Sequence, residues 1–94
     1  MKVFITSSAK QDMYDIVKFI VSDNPKAARE WLDSIVEYIE KISSFPNMGR
    51  IVPEYNENTI REIIHDQHRI VYKINENDQI IYIIAVHHSK KLLH

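Results

Sequence analysis

The 94-residue chain contains no cysteine, one glycine and three prolines. Without cysteine there is no disulfide framework, no thiol nucleophile and no thiolate-bound zinc or iron–sulfur centre. Gly49 alone cannot make a glycine-rich loop around phosphates, so P-loop and dinucleotide chemistries are set aside and no cofactor is expected. The chain also lacks a long apolar run. The longest, Gln79 to Val86, is far below the roughly 20 residues that cross a bilayer, and Met1-Lys2-Val3-Phe4 is too short for a signal sequence, so a cytoplasmic protein with no membrane partner is expected. Nor is there a basic excess: 12 Lys plus Arg face 13 Asp plus Glu, unlike the usual nucleic-acid binder.

What is present is ordinary globular composition, 45% hydrophobic and 27% charged, in a length that fills one core. A single domain over residues 1–94 is expected. Lys2 to Thr6 (KVFIT) reads as a strand. Ser8, with Gln11 three residues on, has the pattern of a capping box. Met13, Ile16, Val17, Ile20 and Val21 then form one apolar helical stripe. Phe19 lies off that arc, an aromatic left for a partner protein or a second copy, with dimerisation open. Asn24-Pro25 stops this helix and starts another, because Asn caps well and Pro at the first helical position forgoes no bond. Ala28, Trp31, Leu32, Ile35, Val36, Ile39 and Ile42 continue at helical spacing, which predicts an antiparallel helical hairpin.

After Ser44 the periodicity dissolves into FPNMGRIVPEYNENT, a loop with room for a short extended piece. Three strand signals follow, Ile60 to His65, Arg69 to Ile74 and Gln79 to Val86, joined by connectors short enough for hairpins. The element order is β-α-α-β-β-β, an α+β fold with the hairpin packed on one face of an antiparallel, four-stranded sheet. Period-2 alternation turns Ile70, Tyr72 and Ile74 toward the helices and Arg69, Val71 and Lys73 toward an open face.

In that order, NP-KAAREW (Asn24 to Trp31), FPNMGRIVPE (Phe45 to Glu54), IRE (Ile60 to Glu62), HRIVYKI (His68 to Ile74) and AVHHSKK (Ala85 to Lys91) resemble the RelE/ParE superfamily of toxins from type II toxin–antitoxin modules. The resemblance implies a RelE-like fold and a growth-inhibiting toxin, of the kind linked to plasmid stabilisation, neutralised by a cognate antitoxin. RelE-like members cut messenger RNA on the ribosome without a metal; ParE-like members inhibit DNA gyrase without a catalytic site of their own. Metal-free cleavage needs basic groups converging on one face to bind phosphate and move protons. The resemblance places Arg69 on the nuclease arginine, with Arg61 one strand back and His87 as proton donor. Arg50, Lys73, His88, Lys90 and Lys91 are then target contacts.

Plainer readings stand beside these. Arg69 pairs with Glu62 or Asp66; Arg50 anchors a loop through backbone carbonyls; Trp31, Tyr72 and Tyr82 pack; and neighbouring histidines point to opposite faces rather than to one metal, so no metal site is expected. The acidic Glu62 after Arg61, and a tail ending Leu92-Leu93-His94 without tyrosine, depart from the nuclease pattern. VPE, IRE and V-H-x-x-K resemble ParE-like and generic RelE/ParE members more closely. A nontoxic protein-binding module on the same scaffold is the alternative.

Overall fold

A computed structural model describes residues 1–89. The elements are β1 (Lys2–Ile5), α1 (Ser7–Val21), α2 (Pro25–Ser44), a 3-10 turn (Pro46–Met48), β2 (Arg50–Ile51), β3 (Ile60–His65), β4 (His68–Asn75) and β5 (Ile80–His88). The strands form one five-stranded sheet in the order β1-β5-β4-β3-β2, in which β1 runs parallel to β5 and the other pairs are antiparallel. The sheet is therefore mixed and one strand wider than expected. The helical crossover re-enters the sheet at β2, which runs opposite to β1, and three successive antiparallel pairings then bring β5 back to the direction of β1. The extra strand is the short extended piece of the loop after Ser44.

Both helix starts follow from capping chemistry, one of them differently from expectation. Asn24 is extended (φ −152, ψ 92) and its side chain accepts the Ala27 N–H, with Pro25 at the first helical position. For α1 the cap is Thr6, not Ser8. Thr6 Oγ1 accepts the Ala9 N–H at 3.2 Å and donates to the Ile83 carbonyl at 2.9 Å, tying the helix start to β5. Ser8 lies inside the helix, and Gln11 reaches forward to Asp15 at 2.8 Å.

The helical stripes close over Ile70, Tyr72, Ile74, Ile81, Ile83 and Val86, with Ala9, Trp31, Ile35 and Ile42 buried from the helix side. Fully burying one such large apolar side chain is worth about 1.5–3 kcal/mol. Trp31 is core, Tyr72 is fully buried, and Tyr82 packs edge-on to Phe4 with ring centroids 5.9 Å apart. Phe19, by contrast, is 77% exposed.

The β3–β4 hairpin turns on Asp66 and Gln67, both at positive φ (49° and 69°), the backbone of a two-residue primed turn made here without glycine. Past Ile83, where β1 ends, Asp12 of α1 takes over the edge of β5 by accepting the Val86 N–H at 3.0 Å. A helix side chain thus blunts an edge that would otherwise template pairing.

The sheet face away from the helices differs from expectation: it is not open. Val52, from the connection after β2, is fully buried against Ile60 and Val71, with Ile84 and Ala85 packed beside them. Residues 52–59 thus cover part of the face that carries Arg69.

Candidate functional site

Alternation along β4 puts Arg69 on the face away from the helices, as expected, but the residue is only 4% exposed and its guanidinium carries two carboxylates. Its Nε donates to Glu62 Oε1 at 2.6 Å, while NH1 and NH2 meet Glu54 Oε2 and Oε1 at 2.9 and 3.0 Å. Glu62, 1% exposed, also holds Arg50 through the other oxygen: Arg50 Nε donates to Oε2 at 2.6 Å. One carboxylate therefore bridges two guanidiniums, one buried and one whose side chain is 60% exposed. The arrangement follows from register, since β2 pairs Arg50 with Glu62 and β3 pairs Glu62 with Val71, one step from Arg69 on the same face. The Glu54 bond, followed by Glu62, raises the Arg69 pKa despite burial, so the group stays cationic.

This corrects the expectation of an Arg69 open to phosphate. Alternation gives the face but not its cover, because residues 52–59 carry no periodic signal. The Glu62 pairing was the plainer sequence reading, whereas Glu54 belongs to no pattern that points to β4.

The bonds to loop carbonyls expected in the plainer reading of Arg50 are made by Arg61. Arg61, paired in register with Tyr72, is the loop anchor: NH1 donates to the Gly49 carbonyl at 2.8 Å and NH2 to Asn58 Oδ1 at 2.8 Å. It lies on the opposite face of β3 from Glu62 and does not join Arg69. His87 is opposite Arg69 in the β4–β5 register, yet its Nδ1 sits 3.7 Å from Asp12 Oδ2. Lys73 is exposed two residues along the Arg69 face. His88 is exposed, its ring 6.0 Å from that of His68, and the two line a cleft of about 480 Å³ with Ile16, Phe19 and Ile20 of α1. Lys90 and Lys91 lie outside the described residues. Among the described residues no cluster of three or more His, Asp or Glu side chains is placed to hold a metal ion.

Behind the ion network stands Tyr72, whose hydroxyl accepts the Gly49 N–H at 2.9 Å and donates to the Pro46 carbonyl at 2.6 Å. Burial raises its pKa above the ordinary 10.0, although the Gly49 N–H and the Arg61 charge pull it down. The folded state thus holds the phenolic proton more tightly than the unfolded chain. The associated stability is complete below pH 10 and lost as pH rises through the raised value. Urea unfolding between about pH 9 and about pH 11 should show a steeper loss for the native chain than for Tyr72→Phe. Parallel pH profiles would show that Tyr72 contributes nothing to it.

The sequence matches the model of the ParE toxin of the parDE type II toxin–antitoxin system over residues 3–93. The chain belongs to the ParE toxin family. Solved structures agree on the fold. A structure described as the chromosomal ParDE toxin–antitoxin system of P. aeruginosa aligns with TM-score 0.78 at 18% identity, covering 96% of this chain and 97% of that one. The toxin–antitoxin complex RelBE2 of Mycobacterium tuberculosis aligns with TM-score 0.64 at 19% identity, covering 93% and 95%. No curated protein matches by sequence. For this ParE family member, the two helices on a five-stranded mixed sheet are the shared scaffold. No helix among its described residues is long and apolar enough to cross a membrane.

Proposed function

We propose that this ParE-family toxin arrests growth by binding DNA gyrase rather than by cutting ribosome-bound messenger, and that a cognate antitoxin neutralises it. The observation that carries this reading is the closed state of Arg69. A metal-free nuclease needs a guanidinium presented to the scissile phosphate with an acid and a base beside it. Here Arg69 is 4% exposed with its guanidinium engaged by Glu54 and Glu62, and Arg61 bonds loop carbonyls on the other face. Arg69 and Arg61 then act as positioning residues for residues 47–59. Target contacts fall to groups that reach solvent, Arg50, Lys73 and His88, together with Lys90 and Lys91 of the tail. The balanced overall charge suits a protein target better than a nucleic-acid strand. The exposed Phe19 and its cleft supply an apolar surface for the antitoxin.

The test is induced expression in a bacterium with the antitoxin absent and present, a supercoiling assay with purified gyrase, and mapping of messenger ends at ribosomes. Arrested supercoiling, intact messenger and relief by the antitoxin are expected. Cleaved messenger would overturn the gyrase reading in favour of the nuclease. Unimpaired growth, with supercoiling untouched, would leave the nontoxic binding module.

A further inference from the structure

Arg69 and Glu54 meet as two planar forks, NH1 on Oε2 at 2.9 Å and NH2 on Oε1 at 3.0 Å. A guanidinium holds two oxygens of a phosphate in this same side-on manner. The two acidic partners of Arg69 are not equivalent. Glu62 lies within β3, its side chain is 0% exposed, and it is bound to Arg50 as well, so it belongs to the sheet. Glu54 comes from the connection between β2 and β3, its side chain is 21% exposed, and it covers the solvent side of the guanidinium. The turn that carries it is fastened by its own backbone, with the Tyr55 and Asn56 N–H groups both donating to the Val52 carbonyl.

We propose that Glu54 is an internal plug in an oxyanion seat: its carboxylate occupies the place on Arg69 that a phosphate group would take, and a chain lacking that carboxylate binds phosphate there. Charge supports the exchange. Replacing Glu54 removes one negative charge from beside Arg69, close to an Arg50 side chain that is 60% exposed and bound to Glu62. A multiply charged oxyanion is drawn to such a cluster, and a carboxylate fixed in advance excludes it. The inference goes beyond the gyrase reading by naming the residue that withholds Arg69 from phosphate, and it stands or falls whichever target the toxin has.

The experiment compares the native chain with Glu54→Ala and Glu54→Gln, each labelled with nitrogen-15, titrated with inorganic phosphate at constant ionic strength. A parallel arm uses a short 5′-phosphorylated RNA. The Arg69 side-chain Nε–H resonance reports the seat itself. Glu54→Ala should bind phosphate about tenfold or more tightly than the native chain, with a saturable shift of that resonance, and Glu54→Gln should fall between. A gain in both arms identifies a strand phosphate as an acceptable ligand; a gain with inorganic phosphate alone identifies free phosphate. If Glu54→Ala does not fold, Glu54→Gln decides alone, because it keeps the side chain's shape and removes only its charge. Equal affinities in all folded chains, or phosphate binding that leaves the Arg69 resonance in place, would overturn the proposal while leaving the gyrase reading intact.

Discussion

Glu62→Gln should destabilise the protein by about 3–5 kcal/mol, the cost of breaking a buried ion pair by removing one partner. The side chain is 0% exposed and its two oxygens serve two guanidiniums, so the neutral amide takes a carboxylate away from Arg69 inside the protein while Glu54 stays in place. Gln keeps the shape of Glu, so little of the loss comes from packing. Its amide nitrogen would also place donors against donors wherever it faces Arg50 or Arg69. In a domain of this size about 4–8 °C of melting temperature goes with each kcal/mol, so a fall of more than 10 °C is expected. Removing the exposed partner gives the contrast: Arg50→Gln, at a side chain 60% exposed, should cost no more than about 1 kcal/mol. The two effects should couple in a double-mutant cycle, because both variants break the same contact. Added salt should narrow the Arg50 effect more than the Glu62 effect, since exposed charges are screened and buried ones much less. A Glu62→Gln chain that melts with the native protein would show that the network contributes nothing to stability, and the positioning role given to Arg69 would go with it.

The same network shows what the sequence could and could not disclose. Alternation in β4 assigned Ile70, Tyr72 and Ile74 to the helices and Arg69 to the reverse face, because period 2 is a property of the backbone and needs no knowledge of neighbours. What covers that reverse face is a question about a connection without periodicity. Val52 reads as an ordinary loop residue and is fully buried; Glu54 reads as a solvated loop acid and is half of a bidentate fork. The strand β2 was hard to see for a similar reason. Two residues, one of them the 40% exposed Ile51, make no pattern, and the strand exists because Arg50 and Ile51 find Glu62 and Arg61 in register.

Register also explains why Arg61 rather than Arg50 bonds the loop carbonyl. Both were legible as basic residues near the sole glycine, and either could have bonded carbonyls. Only the pairing of β2 with β3 decides that Arg50 sits opposite Glu62 while Arg61 faces the Gly49 carbonyl. The start of α1 was ambiguous in the same way. Thr6, Ser7 and Ser8 are all capable caps, and the choice of Thr6 comes from the Ile83 carbonyl, 77 residues away in sequence, which accepts both the Thr6 N–H and its hydroxyl while Oγ1 caps the helix. By contrast Asn24-Pro25 needed no tertiary information, since both residues act through their own geometry. The family fragments extend this reading, because their order along the chain reports a fold even where they do not disclose the partners of single residues, Arg69 foremost.

Gly49→Ala should cost about 2–4 kcal/mol, a large effect for one methyl group. The backbone does not demand glycine here: φ is −76° and ψ 157°, an extended conformation open to any residue. The demand is space. A Cβ at this position would stand 2.6 Å from the Tyr72 hydroxyl, 2.8 Å from the Glu62 carbonyl oxygen and 2.9 Å from Tyr72 Cε1. None of these can yield cheaply. The hydroxyl is held by the Gly49 N–H and the Pro46 carbonyl, its ring is fully buried, and the carbonyl is main chain within β3. Relief would have to come from moving residues 46–50, which would loosen the Arg61 bond to the Gly49 carbonyl and, through Arg50, the clasp on Glu62. Urea titration should therefore show a lower midpoint with an unchanged slope, as for a change in stability without a change in the surface exposed on unfolding. Tyr72→Phe removes the closest clash and leaves the other two, so the double variant should lose less than the two single losses added together, by about 0.5 kcal/mol or more. Strict additivity would place the methyl group's cost elsewhere, and a Gly49→Ala chain as stable as the native one would mean that the turn can shift without disturbing Tyr72, contrary to the contacts that fix the loop over the Arg69 face.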